Sequence, residues 1–436
     1  MSVVFALATP PAKSAICVFR VTGSGCHRHI KQFFKRSDFE FGRFYVLPFY
    51  VGNKVIDRVG FLLFKSPKSY TGEDSFEVHS HGGLGVMSAI TNSFKVAGFD
   101  EAPPGEFTKR SFLNNKLDLN EAESLSDLID SVTPEEMKLS ANSLYGEMSK
   151  KISFFAAAID EIRVRVEAEI DFSDEGQDYY DENLLSSLSD LMSELELFIG
   201  GCVNKKEASQ KNNILLVGPV NSGKSSVFNR LLGFERAIVS SVPGTTRDMI
   251  GSELFYESHS FAIHDTAGVR KTDDFVEDAG IKISISEIDN ADLVLGVFES
   301  DNTKDLNFFD SVCENKPFLK IQNKIDVNKK FAGFDCCVSA KTGEGFDNLK
   351  KLIKESFLGR SSDKKYNFLV RDRHEHLFNE TKKNIGSALK VLQNNDSLEL
   401  AAEELRLARN NLDELVGKKY SDSLLGDIFN NFCIGK

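Results

Sequence analysis

Gly218 to Ser225 reads GPVNSGKS and follows the apolar run Ile214–Val217. The pattern G-x-x-x-x-G-K-S, set after an expected strand and before an expected helix (Ser226–Leu232), is that of a loop that wraps a phosphate chain. Its glycines let backbone N–H groups turn inward around an anion, Lys224 brings a point charge to the outer phosphates, and the Ser225 hydroxyl can hold Mg²⁺. Asn221, Ser222, Gly223, Lys224, Ser225 and Ser226 are therefore expected around the phosphates of a nucleoside triphosphate.

A phosphate loop alone fits an ATPase or a GTPase, and the residues downstream decide between them. Gly244, Thr245 and Thr246 open the run GTTRD, in which Thr246 offers Mg²⁺ a second hydroxyl on a loop able to order around the γ-phosphate. Asp265, Thr266, Ala267 and Gly268 (DTAG) follow the apolar Phe261–Ile263; they place a carboxylate near the metal and a glycine amide near the γ-phosphate. Asn323, Lys324 and Asp326 belong to NKID, after the apolar Phe318–Ile321. The carboxylate there can accept two hydrogen bonds from guanine, whereas adenine leaves it unpaired at a cost of several kcal/mol. Ser339, Ala340 and Lys341 (SAK) suit a loop whose backbone N–H meets the guanine O6. The ordered set reads as a GTP site. Val269 follows Gly268, so no glutamine stands there to align water, and another cation must offset the charge of the transition state. Arg247 and Arg270 are the candidates from the residues alone.

Those loops need strands and helices to carry them. The chain has 436 residues, 41% hydrophobic and 27% charged, which is ordinary for globular protein and enough for two or three domains. No apolar run reaches the length of a membrane span, and the start resembles neither a signal nor a transit peptide, so a cytoplasmic protein without membrane contact is expected. The net charge of −12 argues against broad, nonspecific binding to a phosphate backbone; any nucleic-acid contact is local or lent by a partner. Seven cysteines without a C-x-x-C pair read as reduced thiols, several of them core-filling. The pairs His27/His29, His79/His81 and His374/His376 lack a third spaced ligand and read as surface or turn histidines, with no zinc expected.

From residue 1 to about 110, apolar stretches such as Val3–Leu7, Ile16–Val21, Val59–Phe64 and Phe76–His79 are broken by Gly and Pro, with a helix over Val86–Val96: a small α/β domain. Three runs stand out in it, YTGED (Tyr70–Asp74), EVHSHGG (Glu77–Gly83) and PPGEF (Pro103–Phe107); Gly-rich turns account for them as well as a binding role does. Helical periodicity takes over from about Thr108 to Ala208, with a solvated acidic loop over Asp171–Asn183, and returns in Leu377–Leu392 and Leu398–Val416. The nucleotide-binding segment therefore reads as inserted into a helical domain. The expected boundaries are 1–115, 116–208, 209–362 and 363–436.

The phosphate loop with Asn221, the run SSVPGTTRD, the apolar residue after DTAG, FLNNKLDLNEAE, the AEELRLA helix and the terminal FCIGK together resemble the tRNA-modification GTPase MnmE (TrmE) family, over the whole chain. Relatives often carry Pro before the loop asparagine, where this chain has Val220, with Pro219 one place earlier. The resemblance implies an N-terminal α/β domain similar to folate-dependent aminomethyltransferases, a discontinuous helical domain, and an inserted Ras-like GTPase domain with a mainly parallel sheet. It implies a K⁺ ion held by Asn221, Ser240, Val242 and Thr245 where an arginine finger would sit, with Glu277 positioning the attacking water. Lys224, Asp265 and Gly268 complete the implied catalytic set. It further implies a one-carbon tetrahydrofolate (5-formyl or 5,10-methylene) at Arg20, Glu77, Lys116 and Lys436, between the protomers of a homodimer. Cys433, fourth from the end, is either a packed thiol or a reactive one near that folate; the terminal residues fit a prenylation box poorly. The implied partners are the flavoprotein MnmG and tRNA, with modification at carbon 5 of the wobble uridine. The rival readings are a ribosome-assembly GTPase, which wants a basic RNA-binding module this acidic chain lacks, and a regulatory switch with no role in modification.

Overall fold

The computed structural model describes residues 2–174, 183–208, 212–233, 252–256, 259–265, 275–278, 281–358, 366–394 and 397–436. The chain divides into two compact units: residues 1–130, 138–204 and 366–436 form the first, and residues 131–137 and 205–365 the second. The N-terminal segment and most of both helical segments thus share one unit, with residues 131–137 and 205–208 grouped in the other.

The first unit begins with β1 (Val4–Leu7), β2 (Ser14–Thr22), α1 (Ile30–Phe34), β3 (Phe44–Val51), β4 (Lys54–Phe64), β5 (Ser75–Gly82), α2 (Leu84–Val96) and β6 (Asp100–Glu101). The strands form one sheet in the order β3-β4-β5-β2-β1-β6, antiparallel except for β1 with β6. Strand periodicity sends Phe19, Val21, Phe76 and Val78 into a core with Phe33, Phe49, Phe61 and Phe94. The same alternation turns Arg20, Glu77 and His79 to the opposite face, and the register sets Arg20 beside Glu77.

Next come α3 (Glu106–Leu113), α4 (Leu119–Asp130), α5 (Pro134–Leu144), α6 (Glu147–Asp174) and α7 (Leu184–Gly200). Helix α6 runs through Asp174, so the first four residues of the acidic stretch expected as a loop are helical. They extend a helix that already runs from Glu147 to Ile170, and helix propagation adds residues cheaply once nucleated. After residue 365, α13 (Asp372–Gln393) and α14 (Leu398–Leu415) pack on α6 and α7 through Ile152, Phe155, Ile159, Leu188, Leu195, Phe378, Ile385, Leu405 and Leu412. One core is therefore built from two sequence segments. The last helix, α15 (Asp422–Phe429), joins Phe112 and Leu119 in a smaller cluster. Gly105 of PPGEF has φ +69°, and a Cβ on it would lie 2.4 Å from the Phe429 carbonyl oxygen. That glycine is a requirement of close packing.

The chain leaves this unit through β7 (Cys202–Asn204) and re-enters it through β16 (Phe368–Val370), and these two strands pair in parallel. Asn204 Nδ2 donates to Asp372 Oδ1 at 3.0 Å and Glu375 Oε2 at 2.7 Å, tying the outgoing strand to the start of α13.

The second unit contains α8 (Lys205–Ala208), β8 (Asn212–Val217), α9 (Lys224–Gly233), β9 (Ser252–Tyr256), β10 (His259–Asp265), β11 (Phe275–Asp278), β12 (Ile281–Ser284), α10 (Ile285–Asn290), β13 (Leu293–Phe298), α11 (Thr303–Val312), β14 (Phe318–Gln322), β15 (Cys336–Cys337) and α12 (Phe346–Leu358). Its main sheet has the order β15-β14-β13-β8-β10-β9, parallel apart from β9 with β10. Every residue of β13 is buried, as expected of a central strand covered on both faces. Loops at the carboxyl ends of such strands form the usual ligand crevice, and GPVNSGKS leaves the end of β8.

Candidate nucleotide-binding site

Two glycines shape the phosphate loop. Gly218 has φ +147° and lies where a Cβ would meet the Val297 carbonyl oxygen at 2.1 Å. Gly223 has φ +91°, and a Cβ there would meet Asn323 Nδ2 at 2.3 Å. No other residue type fits either place. Asn221, between them, is itself left-handed at φ 65°, a conformation asparagine tolerates better than most. Lys224 opens α9, and its Nζ donates to the carbonyls of Gly218 and Pro219, each at 2.9 Å, so the ammonium lies over the loop. Ser225 and Ser226 follow it in the first turn of α9.

The guanine-reading candidates converge on the same strand ends. Asn323 is 1% exposed and acts as a staple: its Nδ2 donates to Ser222 O at 3.0 Å, and its Oδ1 accepts the Ala340 N–H at 3.1 Å. NKID, the phosphate loop and SAK are thus joined by one side chain. Asp326 is steered by the Ser339 hydroxyl, 2.7 Å from its Oδ1. Of the three SAK donors, Ser339 N–H goes to Glu344 O and Ala340 N–H to Asn323, which leaves Lys341 N–H uncommitted among the described residues. Ser226 and Ala340 also meet across a hollow of about 400 Å³ lined by Asn229, Arg230 and Gly233.

Asp265 ends β10, next to β8 in the sheet, and Glu277 lies on β11, in register with Lys282 of β12. Ser240, Val242, Gly244, Thr245, Thr246, Arg247, Thr266, Ala267, Gly268 and Arg270 lie outside the described residues.

The family model described as GTP-binding protein TrmE N-terminus matches residues 3–116, and that described as MnmE helical domain matches residues 119–433. Proteins named tRNA modification GTPase MnmE align end to end with the chain. The one from Nitrosomonas eutropha is 35% identical, over 99% of this chain and 98% of its own length. Those from Wigglesworthia glossinidia brevipalpis and Legionella pneumophila (strain Corby) are each 36% identical, over 99% of both chains. The chain belongs to the MnmE family of GTPases. Among solved structures, the G domain of the T. maritima FeoB iron transporter is 26% identical over 34% of this chain and 99% of that one, with a TM-score of 0.26.

In the TrmE N-terminal segment, Arg20 Nε donates to Glu77 Oε1 at 3.0 Å, and Arg20 Nη1 reaches the carbonyl of Gly435 at 3.4 Å. The C-terminal tail therefore closes onto the sheet: Gly435 has φ +90° and sits where a Cβ would lie 2.7 Å from Ala8 Cα. Glu77 also accepts from His79 at 3.1 Å, and this bond, followed by the Arg20 charge, holds its carboxyl below the usual range. Burial, and next the Arg20 charge, push the Lys436 ammonium below its ordinary value. Lys116 Nζ donates to Pro67 O at 3.2 Å, and its Cγ packs toward Gly72 of YTGED. Arg20, Glu77 and Lys436 are brought together, with Lys116 bordering the neighbouring loop. Cys433 is exposed, so it is not a packed thiol: the tail is held by Gly435 and Phe432, and the thiol between them turns outward.

His374 corrects the grouping of the histidine pairs. It is 2% exposed, and its Nε2 lies 2.6 Å from Glu123 Oε2, itself 2% exposed. Arg373 Nη2 shares that oxygen at 2.6 Å, while Arg371 grips Asp127 with Nη2 at 2.7 Å and Nε at 3.2 Å. The start of α13 is thereby bound to α4 inside the MnmE helical segment. The sequence carries one signal of this: Glu123 and Asp127 fall on the same buried face of α4 as Leu119 and Ala122.

Proposed function

We propose that the chain is a K⁺-dependent GTP hydrolase that works with the flavoprotein MnmG to install an aminomethyl or carboxymethylaminomethyl group at carbon 5 of the wobble uridine of certain tRNAs. The observation that carries this reading is end-to-end likeness, over 99% of the chain, to relatives named tRNA modification GTPase.

In this reading the N–H groups of residues 221–226 hold the phosphates, Lys224 offsets their charge, and Ser225 with Thr246 holds Mg²⁺. The positive-φ glycines support it, since their missing Cβ atoms let backbone donors face one concavity. Asp326, aimed by Ser339, accepts from guanine, and the Lys341 N–H donates to O6. Asp265 and Gly268 sense the γ-phosphate. Asn221, Ser240, Val242 and Thr245 would hold K⁺, which would supply the positive charge that offsets the transition state, and Glu277 would align the attacking water.

A one-carbon tetrahydrofolate fits the Arg20, Glu77, Lys116 and Lys436 region. Two cations can meet its glutamate tail, and a carboxylate held ionised can accept from the pterin edge. Bound there, it supplies the methylene carbon. In this reading the exposed Cys433, three residues before Lys436, serves as a reactive thiol near the folate, and the chain acts as a homodimer in the cytoplasm. The test is paired. GTP hydrolysis is measured in K⁺ and in Na⁺ at matched ionic strength, and wobble uridines from a deletion strain are analysed by mass spectrometry. Strong K⁺ stimulation and loss of the modification support the reading; intact wobble modification would leave a GTPase switch.

A further inference from the structure

Lys324, the second residue of NKID, has left-handed backbone at φ 62°, a conformation unfavourable for a residue with a Cβ. Its side chain takes a defined route. Nζ donates to Glu299 Oε2 at 2.5 Å, and on the way Lys324 Cε passes 3.9 Å from where a Cβ on Gly223 would be. The arm therefore starts at the end of β14, crosses the phosphate loop at Gly223, and is anchored on the first residue after β13. Glu299 is held in its turn: its backbone carbonyl accepts Asn328 Nδ2 in a long 3.5 Å bond, and the Lys324 carbonyl accepts the N–H groups of Val327 at 3.1 Å and Asn328 at 3.0 Å. Glu299 also lines a hollow of about 290 Å³ together with Pro219, Val220 and Ser222 of the phosphate loop.

We infer that Glu299 is a positioning residue for nucleotide binding: it holds the Lys324 side chain extended across the phosphate loop, so that loop and base reader meet GTP already assembled. The inference rests on reading residues 218–225 and 323–326 as the GTP site. A lysine released from its anchor keeps several rotatable bonds, and their ordering is then charged against each binding event. Lys324 and Glu299 are 34% and 45% exposed, so solvent screens the pair and its removal has a modest effect. The loss falls on affinity, equally for GDP and GTP, because the arm joins the base reader to the loop at Gly223, parts that both nucleotides use.

The experiment uses the full chain and fluorescent GDP and GTP analogues, with dissociation rates measured for wild type, Glu299→Ala, Glu299→Asp, Lys324→Ala and the Glu299→Ala/Lys324→Ala pair, alongside steady-state hydrolysis. Glu299→Ala is expected to speed dissociation of both nucleotides about two- to fivefold, to raise KM by the same factor, and to leave kcat unchanged. Glu299→Asp restores most of the loss. In the Lys324→Ala background, Glu299→Ala adds nothing. Wild-type dissociation rates in Glu299→Ala, or an undiminished effect in the Lys324→Ala background, overturns the inference. If instead wild type fails to hold the analogues, or Asp326→Asn keeps full guanine preference, the site reading itself falls, and the inference with it.

Discussion

Two ion-paired clusters in this molecule use the same chemistry in different surroundings. Glu123, Arg373 and His374 meet where the carboxylate and the imidazole are each 2% exposed, whereas Lys324 and Glu299 meet at the mouth of a crevice with a third or more of each in solvent. Removing one partner of the buried set strands a charge in low dielectric; removing one partner of the open pair exposes the other to water that is already there. The first arrangement fixes how α4 and α13 meet. The second can be rearranged at little cost, as suits a loop that must accept and release a ligand.

The largest expected effect follows from breaking the buried set. Glu123→Ala should lower unfolding stability by about 3–5 kcal/mol in denaturant titrations, since Arg373 and His374 lose their shared acceptor. A loss below about 1 kcal/mol would equate this cluster with a surface pair. Acid gives the same contrast without mutation. The His374 and Arg373 charges and hydrogen bonds outweigh the burial of Glu123 and hold its carboxyl far below the usual carboxylate range. Its stabilising contribution is thus fully present above the unfolded value near about 4.3 and is lost as pH falls below it. Denaturation midpoints of wild type and Glu123→Gln should therefore begin to approach each other as pH falls below about 4.3, and keep closing as pH drops toward the much lower range of the folded carboxyl.

At the crevice, Gly223→Ala forces a Cβ to within 2.3 Å of Asn323 Nδ2 at a φ of +91°. Nucleotide affinity should fall about ten- to a hundredfold by equilibrium titration, with global stability changed less. Asp326→Asn exchanges an acceptor for a donor and should move preference from guanine toward xanthine nucleotides, in competition binding, by about tenfold or more. The smallest effect separates the clusters by screening. Between about 0.05 and about 0.5 M salt, the Glu299→Ala deficit should shrink toward nothing while the Glu123→Ala deficit persists. Parallel salt dependence in both would remove the distinction between them.

The nucleotide crevice was legible in the sequence because its parts are contiguous: GPVNSGKS, NKID and SAK each hold their residues within a few positions, behind apolar strands that announce themselves. The Asn323 staple between Ser222 and Ala340 was not, since only the fold brings the three loops to neighbouring strand ends. The Glu123–His374 contact spans 251 positions and a whole inserted unit, and no local pattern pairs residues across that interval. Helical periodicity indicated both halves of the bundle, but their common core of Ile159, Leu188, Ile385 and Leu405 depends on complementary packing that periodicity does not encode. The approach of Lys436 to Arg20 and Glu77 depends on the tail folding back over the sheet, and was reached through resemblance rather than through spacing.

The pairing of β7 with β16 has a mechanical consequence. Because the strands run in the same direction, the chain departs from the far end of one and arrives at the near end of the other. Drawing the two junctions apart slides the strands lengthwise, so the rungs of the ladder bear load together instead of opening one after another. The two bonds from Asn204 to Asp372 and Glu375 carry part of that load onto the first turn of α13. The pair is a lap joint, loaded in shear along its length, where an antiparallel pair would have made a zipper.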